Sequence, residues 1–264
     1  MQKRLIVANW KMNPQTSTEA KELLVSVLSD ASDFKNIELV ICPPFVYFSS
    51  ISAMIYDLSS KFQVSLGAQN MHWEQKGAFT GEISAQMLKE FGVEYVVEGH
   101  SERRWIMGET DEMINKKIKT ALKSGLIPIL AVGEKERNNF DSSGRHINTA
   151  DDVVIDQLTR ALDGVPVSKI KDVVIAYEPV WAIGTGLADN PDDALSVSLL
   201  IRKVISKMTD DKTARAIKIL YGGSVNSKNI AEFLKQDGID GALVGGASID
   251  KDEFTRILEI VSSL

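Results

Sequence analysis

Glu178 closes an apolar run and is followed at once by Pro179, Val180, Trp181, Ala182, Ile183, Gly184, Thr185 and Gly186. An isolated carboxylate at such a place can serve simply as the partner of an arginine. Its neighbours here favour chemistry: Pro179 fixes the chain beside it, Trp181 and Ile183 offer apolar cover, and Gly184 and Gly186 permit backbone angles that other residues resist. Stripping water from a carboxylate strengthens it as a base. The segment therefore reads as a general base followed by a lid.

Three further positions suit the same site. His100 is one of three histidines; it ends an apolar run and precedes Ser101-Glu102-Arg103-Arg104, which could open a helix. The positive end of a helix disfavours a charged imidazole, so His100 is expected to stay neutral and donate a hydrogen bond. His72 and His146 lack such neighbours and read as surface or structural residues. Lys11 could be a solvated loop lysine, yet it is the only cation between the first apolar run and the next helical segment. The glycine pairs in Tyr221–Ser224 and at Gly245-Gly246 offer backbone N–H groups that no side chain obstructs, which suits a phosphate.

Positioning these groups requires elements that end together. Eight short apolar runs recur: LIVAN from Leu5, ELVIC from Glu38, VSLGAQ from Val64, YVVEG from Tyr95, IPILAVG from Ile127, VVIAYE from Val173, IKILYGG from Ile217 and GALVGG from Gly241. Each has strand length and is apolar on both faces, as parallel strands covered by helices must be. Helical segments lie between them. In the first, Leu24, Val27 and Leu28 share a side; in a later one Leu195, Leu199, Arg202 and Ile205 do, after a possible cap at Asn190 and a proline at Pro191.

Eight such alternations without a linker predict one closed (β/α)8 barrel spanning residues 1–264. An open doubly wound sheet is the alternative, but that fold usually carries a glycine-rich turn after its first strand, and NWKMNP stands there instead. In a barrel, chemistry collects where strands end. Asn9, Lys11, Gln69-Asn70, Glu98, His100, Glu102, Glu134 and Glu178 all fall at those ends. The stretch from Glu134 to Asp151 reads as an enlarged, exposed loop.

The 264 residues are 44% hydrophobic and 25% charged, with a net charge of −6, matching an ordinary globular chain. No basic stripe interrupts the negative charge, so a nucleic-acid partner is not expected. No apolar run approaches the roughly 20 residues that span a bilayer. The polar N-terminal stretch is unlike a signal peptide, and a cytoplasmic address is expected. Cys42 is the only cysteine, which excludes an intrachain disulfide and a thiolate metal cluster and leaves a small buried hydrophobe as its expected role.

Seven motifs in order, ANWKMN from Ala8, GAQN from Gly67, GAFTGEIS from Gly77, EGHSERR from Glu98, AYEPVWAIGTG from Ala176, YGGSV from Tyr221 and GALVGGAS from Gly241, closely resemble the triosephosphate isomerase family. The resemblance covers essentially the whole chain. It implies interconversion of dihydroxyacetone phosphate and glyceraldehyde 3-phosphate through an enediolate, in glycolysis and gluconeogenesis, without metal or organic cofactor. Glu178 matches the family's base and His100 its neutral electrophile. Lys11 and Asn9 match the cation and amide beside the substrate oxygens, and Glu102 the carboxylate beside that lysine. Gly184, Ser224, Gly245 and Gly246 match the phosphate cradle, while Ile183 and Leu243 match the apolar clamp.

The resemblance also implies a homodimer, in which Thr80 and Glu82 meet the partner subunit near its counterparts of Asn9, Lys11 and Arg103. An intrachain hairpin-like loop is the alternative for that segment. Two departures stand out: Ala131 replaces a common cysteine, and the stretch Asn138–Thr149 is longer than usual. Two rival readings are a different phosphate-binding barrel enzyme and a catalytically silent barrel. A Schiff-base aldolase would place lysine where Glu178 stands, and a silent barrel would not need Lys11, His100, Glu178 and the lid together.

Overall fold

The computed structural model describes residues 3–29, 34, 36–58, 64–136, 138–140, 146–183 and 189–264, the side chains of 29, 58, 138–140 and 146–150 excepted. Eight parallel strands close into a barrel: β1 (Arg4–Asn9), β2 (Ile37–Cys42), β3 (Val64–Ala68), β4 (Val93–Glu98), β5 (Ile127–Val132), β8 (Val174–Tyr177), β9 (Ile219–Tyr221) and β10 (Gly241–Val244). Closure comes from β1, which pairs with β2 on one side and β10 on the other. The eight runs read from the sequence are these eight strands.

Their double-faced apolarity has a direct structural cause. Alternate residues point into the barrel, where Leu5, Val7, Val40, Tyr95, Val97, Ile129, Ala131 and Leu220 form one buried cluster. The residues between them, such as Ile6, Ala8, Ile41 and Val96, face the surrounding helices in a second cluster. Near the barrel's lower mouth Glu38 points inward, bonded to the Tyr95 hydroxyl and to Lys218 Nζ. Those two donors, one of them charged, compensate its burial.

Around the barrel lie α1 (Ser17–Ser29), α2 (Phe48–Leu58), α3 (Ala85–Glu90), α4 (Ser101–Trp105), α5 (Asp111–Lys123), α6 (Ala150–Leu162), α7 (Val167–Ile170), α8 (Pro191–Met208), α9 (Asp211–Ala216), α10 (Ile230–Leu234) and α11 (Lys251–Ser262). Leu24, Val27 and Leu28 of α1 are buried as their spacing predicts. Asn190 caps α8 by accepting the Asp192 N–H, with Pro191 in the first turn.

The inward face of α8 and the stretch after β5 go beyond what the sequence showed. The inward stripe of α8 is Ala194, Val197, Ser198, Ile201 and Ile205, whereas Leu199 is half exposed. Small and β-branched residues let the helix approach the barrel. Leu195 and Leu199 instead lie over Gly238, and Arg202 reaches the carbonyl groups of Ala214 and Ile217 and the carboxylate of Asp240. The enlarged stretch after β5 is also more than a loop: β6 (Asn138–Phe140) and β7 (His146–Thr149) pair antiparallel. Polar composition concealed a ribbon whose ladder is made by backbone groups.

Candidate active site

Glu178 is the first residue beyond β8, and its N–H continues the ladder to the Val132 carbonyl at 2.8 Å. The side chain is 2% exposed. One carboxylate oxygen, Oε2, accepts the Ser101 N–H at 2.7 Å; the other, Oε1, lies 3.1 Å from His100 Nε2.

His100 is positioned from both sides. Gly99 before it has φ +72, and a Cβ there would stand 2.9 Å from the Arg104 guanidinium, so this turn requires glycine. Arg104 in turn donates to the Gly99 and Ala131 carbonyls. On the other side, His100 Nδ1 accepts the Glu102 N–H at 3.2 Å as the N-cap of α4. An accepting Nδ1 carries no proton, so in the neutral ring the proton sits on Nε2, the nitrogen that faces Glu178.

Lys11 adopts φ 54, the one left-handed non-glycine residue among those described. Its N–H donates to Asn9 Oδ1 at 3.0 Å, its carbonyl accepts from Gln69 Nε2 at 2.8 Å, and its Nζ lies 2.7 Å from Glu102 Oε1. The Lys11 aliphatic chain also runs within 3.2 Å of a Cβ built at Gly245. Lysine and glycine thus share one tight corner.

A cavity of about 360 Å³ brings the expected residues together: Asn9, Lys11, His100, Glu178, Ile183, Ser224, Leu243, Gly245 and Gly246 all line it. Among the described residues Lys11 is the only cation in that lining. Of the lid, Pro179 to Ile183 are described, with a short 3-10 turn over Val180–Ala182. Gly184, Thr185 and Gly186 lie outside the described residues. The turn is anchored: Trp181 Nε1 donates to Glu134 Oε1 at 2.7 Å, the Tyr177 hydroxyl donates to the same oxygen at 3.0 Å, and the Val180 N–H donates to the Glu134 carbonyl. Ser224 Oγ donates to the Ala182 carbonyl at 2.6 Å, tying the lid's start to the glycine loop.

Some contacts of the site were not read from the sequence, including the steric part played by Gly222, which was noted there only for its backbone N–H. The Ser101 amide is a backbone group with no side-chain signature. Gly222 and Gly133 matter as space: a Cβ at Gly222 would meet Glu178 Cγ at 2.9 Å, and one at Gly133 would lie 1.7 Å from the Glu178 carbonyl oxygen. Val225, Asn226 and Ala247 complete the cavity wall. His72 is structural, stacked on Trp73 and beside Phe79. The side chain of His146 lies outside the described residues. Cys42 is buried, and burial pushes its thiol pKa up.

An acid–base pair, one focal cation and a glycine-lined wall in one cavity suit proton transfer on a small phosphorylated carbonyl compound. The sequence matches the family model for triosephosphate isomerase over residues 4–261. The chain belongs to the triosephosphate isomerase family. It is 46% identical to the triosephosphate isomerase of Dictyoglomus thermophilum over 98% of this chain and 100% of that protein. It is 45% identical to that of Alkaliphilus metalliredigens, over 98% of this chain and 99% of that protein. Against that of Dehalococcoides mccartyi the identity is 47%, covering 97% of this chain and 96% of the relative. Members of the family interconvert dihydroxyacetone phosphate and glyceraldehyde 3-phosphate, and the chain is an isomerase of that family.

Thr80 and Glu82 lie in an exposed loop, and Arg103 is half-buried on α4. The loop's base is closed by the His72 N–H donating to the Ile83 carbonyl at 2.8 Å. Arg103 Nε is engaged by Glu109 Oε1 at 2.5 Å. No helix among the described residues is long and apolar enough to cross a membrane.

Proposed function

We propose that the chain carries out its family's reaction as a single domain over residues 1–264, with Glu178 as the base that moves a proton between the two carbons of the triose. The observation that carries this reading is the approach of Glu178 Oε1 to His100 Nε2 at 3.1 Å on the wall of a cavity that also presents Lys11. Nε2–H donates to the substrate carbonyl oxygen and stabilises the negative charge that develops there as the enediolate forms. Lys11, with Asn9 beside it, supplies the positive charge that draws the anionic substrate in. Glu102 holds the Lys11 ammonium at 2.7 Å and fixes its direction.

The phosphate sits against the glycine wall of Ser224, Gly245 and Gly246, joined by Gly184 of the lid. Leu243 and Ile183 supply the apolar clamp. Closure of Pro179 to Gly186 excludes water, strengthens each charge interaction inside, and protects an enediolate phosphate that would otherwise expel its phosphate.

The working form is a homodimer in the cytoplasm, with Thr80 and Glu82 reaching the partner subunit. The exposed loop supports this reading, because its apolar Phe79 remains 44% exposed in the isolated chain. The deciding experiment supplies glyceraldehyde 3-phosphate to the purified protein and follows dihydroxyacetone phosphate in an NADH-coupled assay. Rapid turnover is expected. No turnover by the folded protein would leave a binding barrel without chemistry.

A further inference from the structure

Glu98 is the last residue of β4, two positions before His100, and is fully buried. Its Oε1 accepts the Met71 N–H at 3.1 Å, while Oε2 has no hydrogen-bond partner among the described residues. The nearest cation, Lys117 Nζ, stands 3.6 Å from Oε2. Lys117 is itself buried and holds Asn70 Oδ1 and Glu109 Oε1, each at 2.5 Å, and Glu109 also takes Arg103 Nε. A carboxyl group, a carboxylate, an ammonium and a guanidinium thus meet between β4, α4, α5 and the segment after β3.

That segment leads directly to the cavity. Asn70 and Met71 follow Gln69, whose Nε2 donates to the Lys11 carbonyl at 2.8 Å and to the Cys42 carbonyl at 2.9 Å. Lys11 is held at a left-handed backbone angle, which persists only where surrounding contacts enforce it. Three consecutive residues therefore connect the buried charges to the one cation of the cavity.

We propose that Glu98 is a positioning residue for Lys11, acting by its grip on the Met71 amide and by leaving Lys117 free to hold Asn70. The proposal rests on the reading of Lys11 as the substrate-binding cation. Burial pushes the Glu98 carboxyl up to about 8, against the pull of Lys117 and Arg103 and with the help of Glu109. The neutral group keeps Oε1 as an acceptor for Met71 and makes no claim on Lys117. Once ionised, Oε2 competes with Asn70 for Lys117, which loosens Asn70 and Met71 and, through Gln69, the loop of Lys11.

The test compares KM and kcat for glyceraldehyde 3-phosphate from pH 6 to pH 9.5 in the parent, Glu98→Gln, Glu98→Leu and Lys11→Met, with circular dichroism confirming the fold of each. Glutamine keeps the acceptor and cannot ionise; leucine keeps only bulk. At pH 7 the glutamine variant is expected to match the parent KM, and the leucine variant to raise KM about tenfold, as for one displaced hydrogen bond, with a smaller change in kcat. Across pH 8 the parent KM rises and that of the glutamine variant does not. A folded leucine variant with parental KM, or a glutamine variant that keeps the parental inflection, overturns the proposal. If the leucine variant does not fold, the glutamine comparison decides alone. A Lys11→Met enzyme with unchanged KM would instead refute the reading of Lys11, whereas a raised KM there with neither Glu98 variant altered would sink the Glu98 proposal only.

Discussion

Glu178 Oε1 lies 3.1 Å from His100 Nε2 while Glu178 Oε2 is held at 2.7 Å by the Ser101 amide. The two side chains come from the ends of β8 and β4, which flank β5 in the barrel. Carboxylate and imidazole are therefore adjacent on the cavity wall, and the Ser101 amide holds the carboxylate there. In the proposed role of base, the carboxylate exchanges that amide for the substrate's carbon-bound proton, so its reach is what a test should alter.

Shortening that reach gives the first prediction. Glu178→Asp retracts the carboxylate by about 1 Å and is expected to lower kcat on the order of 10²-fold with little change in KM. Steady-state kinetics in the NADH-coupled assay measure both. A kcat equal to the parent's would remove Glu178 from the role of base.

Gly222 offers a test from the opposite side of the same carboxylate. A methyl group there would meet Glu178 Cγ at 2.9 Å and the Tyr177 carbonyl oxygen at 3.1 Å, and the backbone oxygen cannot yield as a flexible side chain can. Gly222→Ala is expected to displace Glu178 and reduce kcat by about 10- to 100-fold. Full activity in this variant would show that the carboxylate has room to spare.

Trp181 anchors the start of the lid through the buried Glu134 carboxylate at 2.7 Å. Trp181→Phe removes that donor, and hydrogen bonds to charged groups contribute about 1.5–3 kcal/mol. For a chain of this size the melting temperature should fall by roughly 3–12 °C. Scanning calorimetry reads the shift, and an unchanged transition would mean that the bond contributes nothing net.

Self-association is the fourth expectation. The protein should sediment at twice its chain mass, and Thr80→Arg, which puts bulk and charge into the exposed loop, should shift it toward monomer while lowering activity on the order of tenfold or more. Analytical ultracentrifugation with parallel assays decides this. A stable, fully active monomer would refute the dimer.

Much of this architecture was legible because its causes are local. Double-faced apolar runs announce parallel strands, and type and position alone pointed to Glu178, His100 and Lys11 at strand ends, all three of which line one cavity. The parts that were not legible are those in which a side chain carries no information. The Ser101 amide is invisible in the sequence, and the space kept by Gly222 depends on a neighbour 44 residues earlier. Which side of α8 turns inward was not legible either, because Leu195 and Leu199 are the more hydrophobic residues while the buried stripe is Ala194, Val197, Ser198, Ile201 and Ile205. The ribbon of β6 and β7 is held by backbone pairing, which polar composition disguises as loop.

The buried Glu98 also makes stability depend on pH, with a sign opposite to that of a salt-bridged carboxylate. Its folded-state value of about 8 lies above the ordinary 4.5. Below pH 4.5 both folded and unfolded chains hold the proton. Between 4.5 and 8 the unfolded chain releases it and the folded chain keeps it, so the unfolded state binds fewer protons and stability falls as pH rises. The contribution of one such group approaches a slope of about 1.4 kcal/mol per pH unit within that window and vanishes above it. Glu98→Gln cannot release a proton in either state. Its unfolding free energy, from urea titrations at pH 5 to pH 8, should therefore decline less steeply than the parent's, and parallel curves for the two proteins would show that Glu98 is ionised in the folded chain throughout.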